Sequence, residues 1–181
     1  MISSPFLCYN TLNKSREVDI FFFFFQTDNE LSENNPEHAP EKKNIGYAFI
    51  SYSSKDKDSA EALRNVLHKN GIQSWMAPTD IPAGSSYAEV INKAIKNCSC
   101  LLLLLTNSSQ ESVWVPKEVE RALSYKKAVI PVQLEDVILN DEFEFFISTS
   151  QILPVQKIDE DAPQIQELIH IVKEHIQLLE N

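Results

Sequence analysis

Three glycines in 181 residues exclude the nucleotide folds that cradle phosphates on bare backbone. A dinucleotide fingerprint needs a glycine-rich turn after the first strand, and a P-loop needs glycines ahead of its lysine; Gly46, Gly71 and Gly84 supply neither. Cysteine is as scarce. Cys8, Cys98 and Cys100 make no disulfide framework, and the last two, one residue apart at the start of an apolar run, are expected reduced on one strand face. None of His38, His68, His170 and His175 converges on them at ligand spacing, so no metal is expected. Positive charge is short too. Sixteen Lys and Arg against 26 Asp and Glu leave a net charge of −10 with no basic cluster, which argues against a nucleic-acid surface or an anionic membrane. A small bound anion would then depend on local backbone donors or a few polar side chains. Also missing are a Gly-x-Ser-x-Gly elbow and a Cys–His pair. The run Ile20 to Phe25 is too short to span a bilayer or to form a secretory h-region, so a cytoplasmic chain is expected.

What is present divides in two. Residues 1–44 hold the aromatic run and a polar stretch with Pro and Asn, "FFFFFQTDNELSENNPEHAPEKKN". They read as an extension, either an added strand or plug packed in cis, or a segment for self-association. Residues 45–181 read as one domain.

In that domain strand and helix patterns alternate. "YAFISY" is a buried strand, and "KDKDSAEALRNVLHKNG" a helix with Leu63, Val66 and Leu67 on one face and a stop at Asn70-Gly71. "IQSWM" is a short strand and "APTDIPAGSS" a loop. "SYAEVINKAIKN" opens with Ser86 and Glu89 in capping-box register, with Val90, Ile91, Ala94 and Ile95 as its core stripe. "CLLLLLT" has the unbroken apolarity of a strand covered on both faces. A helix in "VPKEVERALSYKK", a strand in "AVIPVQL", an irregular stretch "ILNDEFEFFISTS" with room for a short helix, a small strand in "QILPV" and a final helix with Ile165, Leu168, Ile169, Val172, Ile176 and Leu179 on one face complete the chain. The alternation predicts an α/β fold with a parallel sheet covered by helices on both faces. Ligands of such sheets sit beyond the carboxyl ends of the strands, where "SYSSKD", "WMAPTDIPAG" and "TNSSQESVW" should meet. A response-regulator phosphoacceptor is excluded, because the third strand ends in Thr106-Asn107 and the first in Ser51-Tyr52.

One acid in that set has a special position. Counted from Pro116 as the first helical residue, Glu118 is the third, where free N–H groups and the helix dipole should keep its carboxylate ionised at neutral pH. An ordinary first-turn acid paired with Arg121 explains it equally. Trp114 beside it and Trp75 on the second strand add flat apolar faces, which read either as packing residues or as a slot for a planar ring. The slot reading needs Glu118 at an opening between the rings; held inside the fold, it would be scaffold.

Taken in order, "YAFISYSSKDKD", "GIQSWMAPTDIPAGSSYAEVINKAIKNCSCLLLLLTNSS", "SVWVPKEVERAL" and "KKAVIPVQL" resemble a Toll/interleukin-1 receptor (TIR) domain of the bacterial type, from about Tyr47 to Val155. The resemblance implies a flavodoxin-like, five-stranded parallel sheet. It also implies one of two activities. Some TIR domains cleave NAD⁺ at the nicotinamide–ribose bond, giving ADP-ribose or a cyclised form that a downstream effector senses, as in antiphage defence. Others are adaptors that act through TIR–TIR association. In the enzymes the catalytic glutamate follows a tryptophan by four positions, which here maps onto Trp114 and Glu118. By the same resemblance Trp75, Asp80 and Gly84 belong to a mobile lid. Phe49, Ser51, Tyr52 and Ser53 approach the nucleotide with backbone and hydroxyl donors, and NAD⁺ is substrate rather than cofactor.

Overall fold

A run of leucines buried on both faces of a strand fixes the architecture. In the computed structural model, which describes residues 46–155 and 157–177, Cys100–Leu105 is a fully buried strand at the centre of a five-stranded parallel sheet. The expected extension, residues 1–44, lies outside the described residues. The strands are β1 (Tyr47–Ser51), β2 (Gln73–Trp75), β3 (Cys100–Leu105), β4 (Ala128–Gln133) and β5 (Leu153–Pro154), in the order β2-β1-β3-β4-β5. That order is flavodoxin-like, and it reverses direction between β1 and β3.

Because strand side chains alternate, β3 feeds two cores. Cys100, Leu102 and Leu104 join Ala48, Ile50, Ile130 and Val132 against α1 (Lys57–Lys69) and α6 (Pro163–Gln177). Leu101, Leu103 and Leu105 join Phe49 and Val129 against α2 (Tyr87–Asn97), α4 (Val115–Ser124) and α5 (Asp141–Ile147). The helix faces read from periodicity are buried as expected at Leu63, Val66 and Leu67 in α1, and at Ile165, Leu168, Ile169 and Val172 in α6. In α2, Ile91, Ala94 and Ile95 are buried and Val90 is half-buried.

Several local expectations fail, each for a definable reason. Cys98 and Cys100 do not share a strand face. Cys98 caps the end of α2, its thiol donating to the Ile95 carbonyl at 3.1 Å, and it lies in the α2–α4 core, whereas Cys100 lies in the α1–α6 core. Burial pushes both thiols up, to about 11 and about 12, so neither is a nucleophile at neutral pH. Ser86 is the N-cap of α2, yet its side chain makes no cap hydrogen bond. The capping box is instead at α3 (Asn107–Glu111), within a segment read only as leaving the third strand: Thr106 Oγ1 accepts from the Ser109 N–H at 2.9 Å, and Ser109 Oγ accepts from the Thr106 N–H at 3.0 Å. A serine in place of the usual Glu or Gln hid that motif.

Candidate active site

Every strand of a parallel sheet ends on the same edge, and the three segments singled out for that edge meet there. β1 ends in Ser51, which is fully buried although the other buried positions of that strand are apolar. Such a hydroxyl requires a partner. It finds one in Glu118: the Ser51 hydroxyl donates to Glu118 Oε2 at 2.6 Å, in the interior.

Glu118 is presented by α4, whose start is built from short polar contacts. Ser112 Oγ accepts from the N–H groups of Trp114 and Val115, at 3.2 and 3.4 Å, and Pro116 occupies the first turn. The helix begins one residue earlier than expected, at Val115. The Glu118 N–H is therefore already bonded to the Trp114 carbonyl, at 3.0 Å. Val115, Val119 and Ala122 on the same face pack into the core and carry Glu118 inward with them.

The expected charge state is overturned as a result. Only 7% of Glu118 is exposed. Burial raises its pKa to about 8, with the Ser51 hydrogen bond pulling the other way, so the acid is mostly neutral at pH 7. Desolvation outweighs the helix dipole, whose effect fades within the first turn and is worth about 1 kcal/mol. The open rim is overturned as well: the carboxyl lies inside. It is not paired with Arg121, which is exposed and reaches over the Tyr125 ring at 5.9 Å.

Two aromatic rings meet beside the start of α4. Tyr87, which opens α2 and was not among the residues singled out, meets Trp114 edge-on with ring centroids 5.1 Å apart. Its proximity shows in its own titration: the Tyr87 phenol is pushed up to about 12 by burial and then by Glu118. A large aromatic directly after the Pro/Gly loop is the one local sign of it in the sequence, and it does not tell of Trp114 or Glu118. Trp114 keeps 45% of its surface exposed, with the Lys117 ammonium over the ring at 5.4 Å. Tyr52 ties down the chain leaving β2, its hydroxyl donating to the Ala77 carbonyl at 2.5 Å, and its phenol is also pushed up to about 12, chiefly by burial.

The other residues singled out are occupied differently. One face of the half-buried Trp75 ring is taken, stacked on Phe49 at 4.9 Å with 20° between the planes. Phe49 is fully buried, and β1 runs between β2 and β3, with Phe49 opposite Trp75 and Leu101, so its backbone belongs to the sheet. Ser53 is buried and caps a 3₁₀ turn over Ser54–Asp56, accepting from the Lys55 N–H at 3.4 Å. Asp80 is engaged at both oxygens, by Arg64 Nη2 and by the Met76 N–H, each at 2.8 Å, and so pins the 76–86 segment to α1. Gly84 is exposed with φ +78°, a left-handed turn that favours glycine.

Among the described residues, Glu118 thus has one neutral hydrogen-bond donor, two phenols nearby and no cation against it. Two open clefts are lined without Glu118. One of about 420 Å³ is lined by Pro154, Lys157, Asp159, Ala162 and Gln164, and another of about 220 Å³ includes Glu61, Arg64 and Met76. No group of three or more His, Cys, Asp or Glu among the described residues is placed to hold a metal ion, and no helix there is long and apolar enough to cross a membrane.

A family model described as TIR domain matches residues 48–169. Among solved structures, the TIR domain of the Toll-related receptor TRR-2 from Hydra magnipapillata aligns with a TM-score of 0.60 at 19% identity, over 70% of this chain and 97% of that one. The RPS4 and RRS1 TIR domain heterodimer aligns with a TM-score of 0.54 at 21% identity, over 73% of this chain and 99% of that one. Both are likenesses of fold. No curated protein sequence matches the chain.

Proposed function

The chain belongs to the TIR-domain family, and from that premise we propose that it cleaves NAD⁺ at the nicotinamide–ribose bond, with Glu118 as the catalytic carboxylate and ADP-ribose or a cyclised form of it as product. One observation carries the reading. A buried acid that among the described residues is given a hydroxyl donor and no counter-cation costs stability, and it lies where the strand order reverses, the ligand-binding position of this fold class. A packing role is met by a side chain of similar shape that cannot ionise. An acid that burial holds mostly neutral suits a site where arriving positive charge completes its ionisation.

The chemistry matches that environment. The bond from ribose C1′ to the ring nitrogen breaks with both electrons going to the pyridinium ring, which leaves as neutral nicotinamide and needs no proton. Positive charge is left on the ribose carbon, and an ionised Glu118 stabilises it. Water then adds to C1′ and releases a proton to solvent; attack by a nucleophile of the adenosine half gives a cyclic product. A bound cation also lowers the pKa of Glu118, so the substrate itself favours the ionised form. The carboxyl is enclosed in the form described, so the condition of an opening between the rings is not met there, and the proposal requires the surroundings of Glu118, Tyr87 among them, to shift before a sugar reaches it.

A second reading is adaptor function through TIR–TIR contact. It is favoured by exposed apolar side chains, Ile138 at 92% and Phe145 at 78%, and by the solved TIR heterodimer among the similar folds. Association and catalysis are compatible, so a nucleotide signal read by a downstream effector remains part of the proposal. Incubation of the purified full chain with NAD⁺, at concentrations where it self-associates, separates them. Nicotinamide release that disappears in Glu118→Ala is expected. No release from the associated wild-type chain leaves the adaptor reading.

A further inference from the structure

Resting on that catalytic reading, we infer that Ser51 is the positioning residue of the site: its hydroxyl fixes Glu118 Oε2 and turns the other carboxylate oxygen toward the reacting sugar. Ser51 was expected to touch the nucleotide itself. The geometry gives it a different task. It is fully buried at the end of β1, on the strand face that also carries Phe49, and its hydroxyl meets Glu118 Oε2 at 2.6 Å. Rigidly paired β1 holds the donor, and α4 holds the acceptor.

The physical consequence follows from which form of the acid the hydroxyl prefers. An O–H that donates to an ionised carboxylate makes a charge-assisted bond, about twice as strong as the neutral bond it exchanges with a protonated one. Ser51 therefore opposes the burial that keeps Glu118 neutral. The groups that bear on the pair are few. Tyr52 follows Ser51 at the end of β1, Tyr87 opens α2, and on α4 itself Lys117, Glu120 and Arg121 are exposed; among the described residues, no charged side chain from α3, β3, β4 or α5 contributes to the Glu118 shift. With one of its oxygens held, the carboxyl also loses rotational freedom about its last bond, the preorganisation that electrostatic catalysis requires.

The test compares wild type with Ser51→Ala, which removes the hydroxyl, and Ser51→Cys, which keeps a weaker donor of similar size. The Glu118 carboxyl is followed directly by carbon NMR with labelled glutamate across pH 5 to 10, and NAD⁺ cleavage is measured over the same range. In Ser51→Ala the Glu118 titration is expected to move to higher pH by about one unit, with Ser51→Cys between it and wild type. At pH 7, kcat should fall about tenfold with KM changed less than twofold. If the Glu118 titration is the same in all three proteins, the inference is overturned, whether or not NAD⁺ is cleaved. If it moves as expected but the wild-type chain cleaves no NAD⁺, the positioning of Glu118 by Ser51 stands and the NAD⁺ reading falls. If it moves while kcat is unaltered, the catalytic part of the inference is overturned.

Discussion

Glu118 sets the terms at the scale of single residues. Its carboxyl titrates near 8 in the folded chain, above the 4.5 of an ordinary glutamate, because burial penalises the charge more than the Ser51 hydroxyl relieves it. Between those two values the native state holds a proton that the unfolded chain has lost. Stability contributed by this group therefore falls as pH rises from about 4.5 to about 8, and is lowest above that. Glu118→Gln has no charge to bury. Its melting temperature should match wild type near pH 4 and exceed it by at least about 5 °C at pH 8.5, the gap widening with pH. A gap that stays constant or closes between pH 5 and 8 contradicts the burial argument. Sequence alone located Glu118 and Trp114, since their spacing is local. The charge state was not legible, because it depends on Val115, Val119 and Ala122 drawing that face of α4 against the sheet. Tyr87 went unnamed for the same reason: only the fold brings the start of α2 to Trp114.

Among the elements, the segment between β2 and α2 is the one that the resemblance makes a lid. It is held by a few identifiable contacts: the Arg64–Asp80 pair at 2.8 Å, the Met76 N–H on Asp80, and the Tyr52 hydroxyl on the Ala77 carbonyl. The ion pair is about four-fifths shielded from solvent, so it is worth more than a surface pair. Arg64→Ala should lower the melting temperature by about 2–5 °C and speed amide exchange selectively across residues 77–86. Exchange rising equally throughout α1 and the sheet would show instead that Arg64 supports the whole fold. The strands, the loop and four of the helices were readable from period and from Pro and Gly positions. α3 was not, for its five residues carry no apolar stripe and its cap closes through two side chains of the same small type.

On the level of the whole molecule, alternate residues of β3 go to opposite cores, and the order β2-β1-β3-β4-β5 puts the reversal between β1 and β3. That arrangement brings the end of β1 under the start of α4, residues 67 positions apart in sequence, and creates the one strongly shifted carboxyl among the described residues. The α/β class and the parallel sheet were legible because unbroken apolar strands alternate with amphipathic helices. The enclosure of the site was not, since it arises from packing between elements. The most direct test of the catalytic claim is nicotinamide release from NAD⁺ below saturation, measured from pH 6 to 9 for wild type and Glu118→Gln. Wild-type kcat/KM should rise with pH through a midpoint near 8, and Glu118→Gln should be at least about a hundredfold slower throughout. Equal release by both proteins, or a wild-type rate that falls as the carboxyl ionises, would contradict it.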